Sequence, residues 1–331
     1  MTNKTHGTRQ SNARAPQKFK SNVSDKGGRI KIKKTNTNYS DVKKTMDRGP
    51  REFKSRASDK EGEIMEIAER NVITTYPTTP VKDVSGLMSK HDFRRIPVTD
   101  PGTGRLEGMA LAMDILDFLG GGEKYNIILN EYGGNFLSAI NCHIRRIMFE
   151  NYSFLDRQAS FDDVVEIILK KHHSAIPVVD NENKLLGIVT ERDILPTAEN
   201  LGISVGDVMH DDIITSSRGM MISDVSKIMV RGRKRRLPVI ENDRLIGIVT
   251  VFDVLRFLGR GEFKGTIAED VLSTRVEDIM TADIKSVSSE QDVSDVLNLI
   301  DETGIGGFPV VENNELIGII TITDIIREIY G

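Results

Sequence analysis

A unit of roughly sixty residues is written four times along this chain, and a tandem repeat fixes the kind of fold before any single residue is weighed. Each copy carries an Asp inside a helical pattern and a Pro fourteen residues later: Asp83/Pro97, Asp163/Pro177, Asp224/Pro238 and Asp295/Pro309. A Gly and a second Asp follow, six residues apart: Gly108/Asp114, Gly187/Asp193, Gly247/Asp253 and Gly318/Asp324. Both spacings hold in all four copies, while the gap from Pro to Gly runs from nine to eleven residues. One unit of this size buries too little surface to stand comfortably alone, so pairing of copies is the physical default.

Each copy reads strand, helix, strand, strand, helix, an α+β (mixed α/β) pattern. Short apolar stretches at Ile73-Thr74, Ile214-Thr215 and Ile284 to Val287 predict the first strand. An amphipathic helix follows. In copy two it opens at Ser160 with Asp163 at capping-box spacing, and Val164, Ile167 and Ile168 recur at helical intervals. The Pro sits in the next strand, as in Ile176-Pro177-Val178-Val179, Leu237-Pro238-Val239-Ile240 and Phe308-Pro309-Val310-Val311. Polar turns such as Asp180-Asn181-Glu182-Asn183 predict a hairpin to the returning strands Leu185 to Thr190, Leu245 to Thr250 and Leu316 to Thr321. A second helix is expected around the second Asp of every copy, as in Asp253 to Leu258, stopped by Gly259. The boundaries read from this pattern are a tail at 1–62, repeats at 63–120, 141–200, 201–262 and 263–331, and a linker at 121–140.

Residues 1–60 hold 17 Lys/Arg and 5 Asp/Glu, a net of +12; the remainder holds 28 and 44, a net of −16. The basic segment is poor in aliphatics, cannot offset its ordering entropy by burial, and is expected to be a disordered tail. Such a charge could hold nucleic acid or an acidic partner, though a solvated tail is the plainer reading. The single cysteine, Cys142, rules out an internal disulfide and a zinc cluster built on cysteine. No apolar stretch has membrane-spanning length and no signal core opens the chain, so a soluble cytoplasmic protein without membrane contact is expected. Gly120-Gly121-Gly122 lacks the Gly-Lys-Ser/Thr ending of a phosphate loop and reads as a helix stop and hinge. His172-His173 falls at a helix end, where a structural role is expected, and there is no His-Glu-x-x-His metal motif, nucleophile elbow or dinucleotide fingerprint.

The runs Ala175-Ile176-Pro177-Val178-Val179-Asp180 with Gly187 to Asp193, Leu237-Pro238-Val239 with Gly247 to Asp253, and Phe308 to Val311 with Gly318 to Asp324 resemble the cystathionine-β-synthase (CBS) domain. Copy one keeps Arg95-Ile96-Pro97-Val98 and Gly108 to Asp114 but returns as Met109-Ala110-Leu111. The resemblance covers the body from about residue 63 onward and implies four CBS units paired into two Bateman modules. That architecture is similar to the gamma subunit of AMP-activated protein kinase and its stand-alone archaeal relatives. It implies adenosine-containing ligands in clefts between paired domains, regulation rather than catalysis, and no required cofactor.

The corners Thr190/Asp193, Thr250/Asp253 and Thr321/Asp324 then read as ribose sites. An ionised carboxylate accepts from two adjacent hydroxyls, and the Thr adds a hydroxyl beside it. Capping of the second helix would explain the Asp alone; Thr at a fixed spacing three times is what favours a ligand. Copy one has Leu111 in place of Thr, so the site at Asp114 is expected to be empty or altered. The residues just before the apolar-Pro pair alternate between basic and small: Arg94-Arg95, Ser174-Ala175, Arg233-Lys234-Arg235-Arg236 and Gly306-Gly307. In the family these positions line the central cleft. The resemblance therefore implies phosphate contacts from Arg94, Arg95, Arg235 and Arg236, and backbone approach of adenine at Ala175, Ile176, Gly307 and Phe308. Arg94 and Arg95 are expected to serve a nucleotide held by Thr190/Asp193, and Arg235 and Arg236 one held by Thr321/Asp324, with contacts across the two modules standing as an equal alternative. The expected function is an AMP-, ADP- or ATP-responsive regulatory protein, with a homodimer and an unnamed regulated protein as partners. Two rivals stand beside it: a module for S-adenosylmethionine or a related nucleoside, and a nucleic-acid-associated protein acting through residues 1–60.

Overall fold

The computed structural model describes residues 62–331 apart from 262 and 264, so the expectations for the basic tail lie outside the described residues. Copy one comprises α1 (Ile64–Ile67), α2 (Val81–His91), β1 (Arg95–Thr99), β2 (Leu106–Leu111) and α3 (Ala112–Leu116). Two further helices, α4 (Tyr125–Tyr132) and α5 (Phe136–Ile140), occupy the stretch read from sequence as a linker. Copy two has β3 (Leu155–Asp156), α6 (Phe161–Lys171), β4 (Ala175–Val179) and β5 (Leu185–Thr190). Copy three has α7 (Val205–Val208), α8 (Ile222–Gly232), β6 (Arg236–Glu241), β7 (Arg244–Thr250) and α9 (Val251–Arg260). Copy four has α10 (Ala268–Leu272), α11 (Val293–Thr303), β8 (Gly307–Glu312), β9 (Glu315–Thr321) and α12 (Ile322–Tyr330).

The antiparallel hairpin is the constant of the repeat, and its turn chemistry is local. Asn242-Asp243 and Asn313-Asn314 each place two residues at positive φ between paired strand ends, the two-residue turn that matches strand twist. Helix α6 opens with the expected capping box between Ser160 and Asp163. Two expectations fail. The first strand shrinks to a single parallel bridge in copies one, three and four, at Thr75, Ser216 and Val287, and to two residues in copy two. In each of the three, one N–H donates to the carbonyl of the strand Pro (Pro97, Pro238, Pro309), at 2.8–3.0 Å. Copy two also lacks its second helix: residues 191–194 form only a turn. Pro196 follows Asp193 by three residues, and a proline there removes the N–H that would continue the helix and biases Leu195 away from helical geometry.

The repeated Gly has a physical cause that the spacing could not reveal. The segment preceding each copy crosses onto the returning strand of its neighbour: Glu69 bridges Ile188, Phe149 bridges Met109, His210 bridges Ile319 and Thr281 bridges Ile248. These exchanges join copy one to two and copy three to four, reciprocally. At each crossing the Gly lies beneath a carbonyl of the passing chain. A Cβ on Gly108 would meet Phe149 O at 2.8 Å, and one on Gly187 would meet Glu69 O at 3.1 Å. Gly108→Ala is expected to destabilise the protein by about 1–3 kcal/mol through overpacking against backbone. Gly86→Ala, in helix α2 with open space around the new methyl, is the control and should be neutral or stabilising. Urea midpoints of the two variants decide the matter.

Sheet contacts pair copies within each half, but the hydrophobic cores run the other way. One core joins copies one and three, with Val81, Val84, Met88, Ile115, Val225, Met229, Val254 and Leu255 buried together. The second joins copies two and four, with Val164, Ile168, Val296, Ile300, Ile322 and Ile325. Helix α2 therefore packs on α9, and the Ser85 hydroxyl donates to Leu255 O at 3.0 Å. Gly121 lies where a Cβ would strike Val230 at 2.6 Å, so the glycine run is a close-packed contact with α8 rather than a hinge. No helix among the described residues is long and apolar enough to cross a membrane.

Candidate functional site

The hairpin register sets each basic or small position opposite its Thr. Ala175 pairs with Thr190, Arg236 with Thr250 and Gly307 with Thr321, while Arg95 pairs with Leu111 in copy one. Each Thr backbone N–H and hydroxyl donates to the same oxygen, Oδ2, of the Asp three residues on. The distances are 2.8 and 3.0 Å at Thr190/Asp193, 2.6 and 2.6 Å at Thr250/Asp253, and 2.9 and 2.6 Å at Thr321/Asp324. In copies three and four this is a complete capping box opening α9 and α12. In copies three and four the fixed Thr-to-Asp spacing is thus accounted for by helix capping, and in copy two the same bonds close a turn, which corrects the argument that capping explains only the Asp.

Capping uses one carboxylate oxygen and leaves Oδ1 for other partners. Asp253 Oδ1 accepts from Arg256 and, at 3.3 Å, from the Thr281 hydroxyl. Asp324 Oδ1 accepts from Arg327 at 3.4 Å, and its Oδ2 lies 3.4 Å from His210 Nδ1. Thr281 and His210 belong to the crossing segments, so the Asp253 and Asp324 corners are each roofed by the paired copy. Burial pushes the Asp324 carboxyl up, and the bonds from His210 and Thr321 outweigh it, leaving it below the usual range. Arg256 and Arg327 are long side chains 40% and 61% exposed, so both can swing aside.

Copy one is altered. Lys124 Nζ binds Asp114 Oδ1 and also donates to Ile147 O at 2.8 Å. Burial pushes the Asp114 carboxyl up more than Lys124 draws it down, and Asp114 Oδ2 is buried without a partner. The lysine comes from the stretch read as a linker and was not anticipated.

At the junction of the four copies the arginines gather around one carboxylate, Glu191, which sits between Thr190 and Asp193. Arg94 Nη2 donates to its Oε1 at 3.2 Å, Arg235 Nη1 lies 3.5 Å from the same oxygen, and the Thr323 hydroxyl donates to Oε2 at 3.4 Å. Arg235 also reaches the hydroxyls of Ser174 and Thr323, each at 3.4 Å. Arg236 donates to Gly307 O, beside Thr321, and Arg192 donates to Gly304 O. Arg94 further lies over the Phe252 ring at 5.9 Å. Burial first, and neighbouring arginines after it, push Arg235 down to about 10 and Arg236 down to about 9. A guanidinium keeps its proton in any working buffer, so the depression is a cost carried by the folded state. Burial raises the Glu191 carboxyl, and Arg235 and Arg94 more than reverse it.

Arg95 lies toward an aromatic pair instead. Tyr152 stacks on His173 with ring centroids 3.9 Å apart and planes at 9°, and burial and then Arg95 push the His173 imidazole down. Ile176 and Phe308 send their side chains into the second core, so only their backbone can meet a ligand. Glu191 and Thr323 carried no periodic signal of their own and were missed; His210 and Thr281 were missed although each follows a Met and stands fourteen residues before the first Asp of its copy. Cys142 is buried, and burial pushes its thiol up to about 11. Among the described residues no three His, Cys, Asp or Glu side chains gather as a metal site.

Comparison with known proteins fits this geometry. The CBS domain family model matches residues 64–121, 144–198, 205–260 and 276–331. Protein MJ1225 of Methanocaldococcus jannaschii is 34% identical over 274 residues, covering 80% of this chain and 98% of that protein. Its crystal structure, described as a candidate archaeal homolog of g-AMPK, superposes with a TM-score of 0.74 at 33% identity over 80% of this chain and 98% of that one. A 33.4 kDa protein of the ribosomal RNA operon of Thermofilum pendens is 26% identical over 255 residues, covering 75% of this chain and 85% of that protein. A Pyrococcus horikoshii protein at 18% identity shares the fold, with a TM-score of 0.50 over 80% of this chain and 97% of that one. The chain belongs to the CBS-domain family, with four CBS domains paired into two Bateman modules.

Proposed function

We propose that this protein binds adenine nucleotides (AMP, ADP or ATP) in the clefts between paired CBS domains and acts as a regulatory energy sensor without catalysis of its own. Asp193, Asp253 and Asp324 hold ribose hydroxyls through the carboxylate oxygen that capping leaves over, with Thr190, Thr250 and Thr321 beside them. Arg94, Arg95, Arg235 and Arg236 meet phosphate, and the backbone at Ala175, Ile176, Gly307 and Phe308 lets the purine lie close. Copy one, with Lys124 on Asp114, takes no ribose.

The observation that carries the reading is the excess of part-buried guanidinium at the junction. Arg94, Arg95, Arg192 and Arg235 all act on the single carboxylate Glu191, and Arg236 adds to them. A polyanion relieves that excess. The sulfonium of S-adenosylmethionine cannot, which places that alternative second. The description of MJ1225 as a candidate g-AMPK homolog points the same way. Regulation follows if the ligand has different affinities for two arrangements of the modules, the only way it can shift them. Self-association, a cytoplasmic site of action and a regulated protein partner belong to the same reading. Nucleic-acid binding through residues 1–60 is the competing one, tested by deleting them and measuring DNA and RNA affinity at two salt concentrations.

A thermal-shift panel of AMP, ADP, ATP, adenosine and S-adenosylmethionine tests the reading. Ligand at a hundred times its Kd stabilises by about 2.7 kcal/mol, a readily seen rise in Tm. The expected order is nucleotides above S-adenosylmethionine and adenosine, with the nucleotide rise reduced in Asp193→Ala, Asp253→Ala and Asp324→Ala. Undiminished purine uptake by all three variants, or no rise with any compound, ends the proposal.

A further inference from the structure

We infer that Glu191 is a built-in competitor for phosphate, a carboxylate occupying the anion position at the junction and setting how tightly, and with what charge preference, a phosphorylated ligand binds. The inference rests on the nucleotide reading above and adds to it a residue that opposes the ligand rather than grips it. Residue and repeat position argue for it together. The matching positions in copies one, three and four are Ala112, Val251 and Ile322, all buried apolar side chains that open a helix and fill a core. Only copy two places an acid there, and copy two is the one whose second helix is absent. Its corner turns instead into the junction, where Glu191 is 2% exposed and meets groups from the other three copies: Arg94, Arg235 and Thr323.

The contacts are loose for ions. Arg94 and Arg235 stand 3.2 and 3.5 Å from Glu191 Oε1, where a charge-assisted bond of this kind settles near 2.7–2.9 Å. One carboxylate also cannot satisfy the planar forks of several arginines. A phosphate offers three acceptor oxygens and a larger charge, so it takes these arginines more fully, and the resident carboxylate both occupies them and repels it. Glu191 is then a specificity residue: its penalty grows with the number of phosphates and is nil for a bare nucleoside.

Glu191→Gln keeps the shape and an acceptor oxygen while removing the charge. Calorimetry on the full chain with inorganic triphosphate, ATP, AMP and adenosine should show triphosphate and ATP bound about tenfold tighter or more by the variant, AMP by less, and adenosine equally. If the variant loses its fold in plain buffer, the uncompensated arginines are the cause and added triphosphate must restore it. Equal or weaker triphosphate affinity, or a variant that stays unfolded in saturating triphosphate, overturns the inference while leaving nucleotide binding by the native protein intact. If the native protein binds neither AMP nor ATP, the nucleotide reading itself falls.

Discussion

Leu255→Ala is expected to lower the unfolding free energy of the whole chain by about 2–5 kcal/mol, the range for truncating a fully buried Leu. The loss should appear in one transition that carries both Bateman modules. Leu255 is 0% exposed on α9, which packs against α2 of the other module, and its carbonyl accepts the Ser85 hydroxyl across the same seam. Backbone pairing ties copies one to two and three to four, while each apolar core ties one to three or two to four. Every copy is thus bound to one neighbour by strand exchange and to another by side-chain packing. No single copy, and no single module, keeps its buried surface if another is lost. Scanning calorimetry on the native chain and the variant should give one peak that moves as a whole. Hydrogen exchange in residues 161–171, in the other module and the other core, should accelerate with it. Two peaks, only the later-sequence module moving, would show that the seam is too weak to couple the modules.

The same cross-bracing explains what the sequence disclosed and what it withheld. The hairpins were legible because their causes are local: Pro in the strand, Asn at the turn, alternating apolar residues behind. The strand exchange was invisible, since the Gly it demands looks from sequence like any turn or bulge glycine. Gly108 is required because Phe149 crosses above it, forty-one residues away in the chain. The missing helix of copy two was within reach, for Pro196 stands in plain sight three residues beyond Asp193, but the other copies argued by analogy for a helix there. At the junction, Arg94, Arg235 and Arg236 stood out by their alternation with small residues. Glu191 was passed over because its counterparts in the other copies are apolar, and only the fold brings it to the arginines. Thr321/Asp324 shows the converse: its spacing was read as chemistry for a ligand, and the geometry shows helix capping using half of that chemistry already.

Joint replacement of Arg235 and Arg236 by Ala should weaken AMP and ATP by about 100-fold or more while leaving adenosine nearly unchanged, since hydrogen bonds to a charged group contribute roughly 1.5–3 kcal/mol each and every 1.4 kcal/mol is tenfold. The unliganded protein should respond in the opposite sense. Both guanidiniums have their proton affinity depressed in the fold, to about 10 and about 9, well below the ordinary guanidinium value, so the folded state disfavours their charged forms. For a base so shifted, the unfolded chain binds protons more readily, and the penalty is fully present below the folded value, easing only as pH rises through it. At neutral pH the arginines are therefore held at a cost, and removing them takes that cost away along with the bond to Gly307 O and the Arg235 contact with Glu191, a carboxylate that Arg94, Arg95 and Arg192 still offset. The variant's Tm without ligand should stay level or rise, and its further rise with ATP should largely vanish. A structural role for the pair predicts the reverse, a lower Tm and a nucleotide response that survives in what remains folded. Equal loss of affinity for AMP, ATP and adenosine would likewise remove phosphate from the account, because a nucleoside has none to lose.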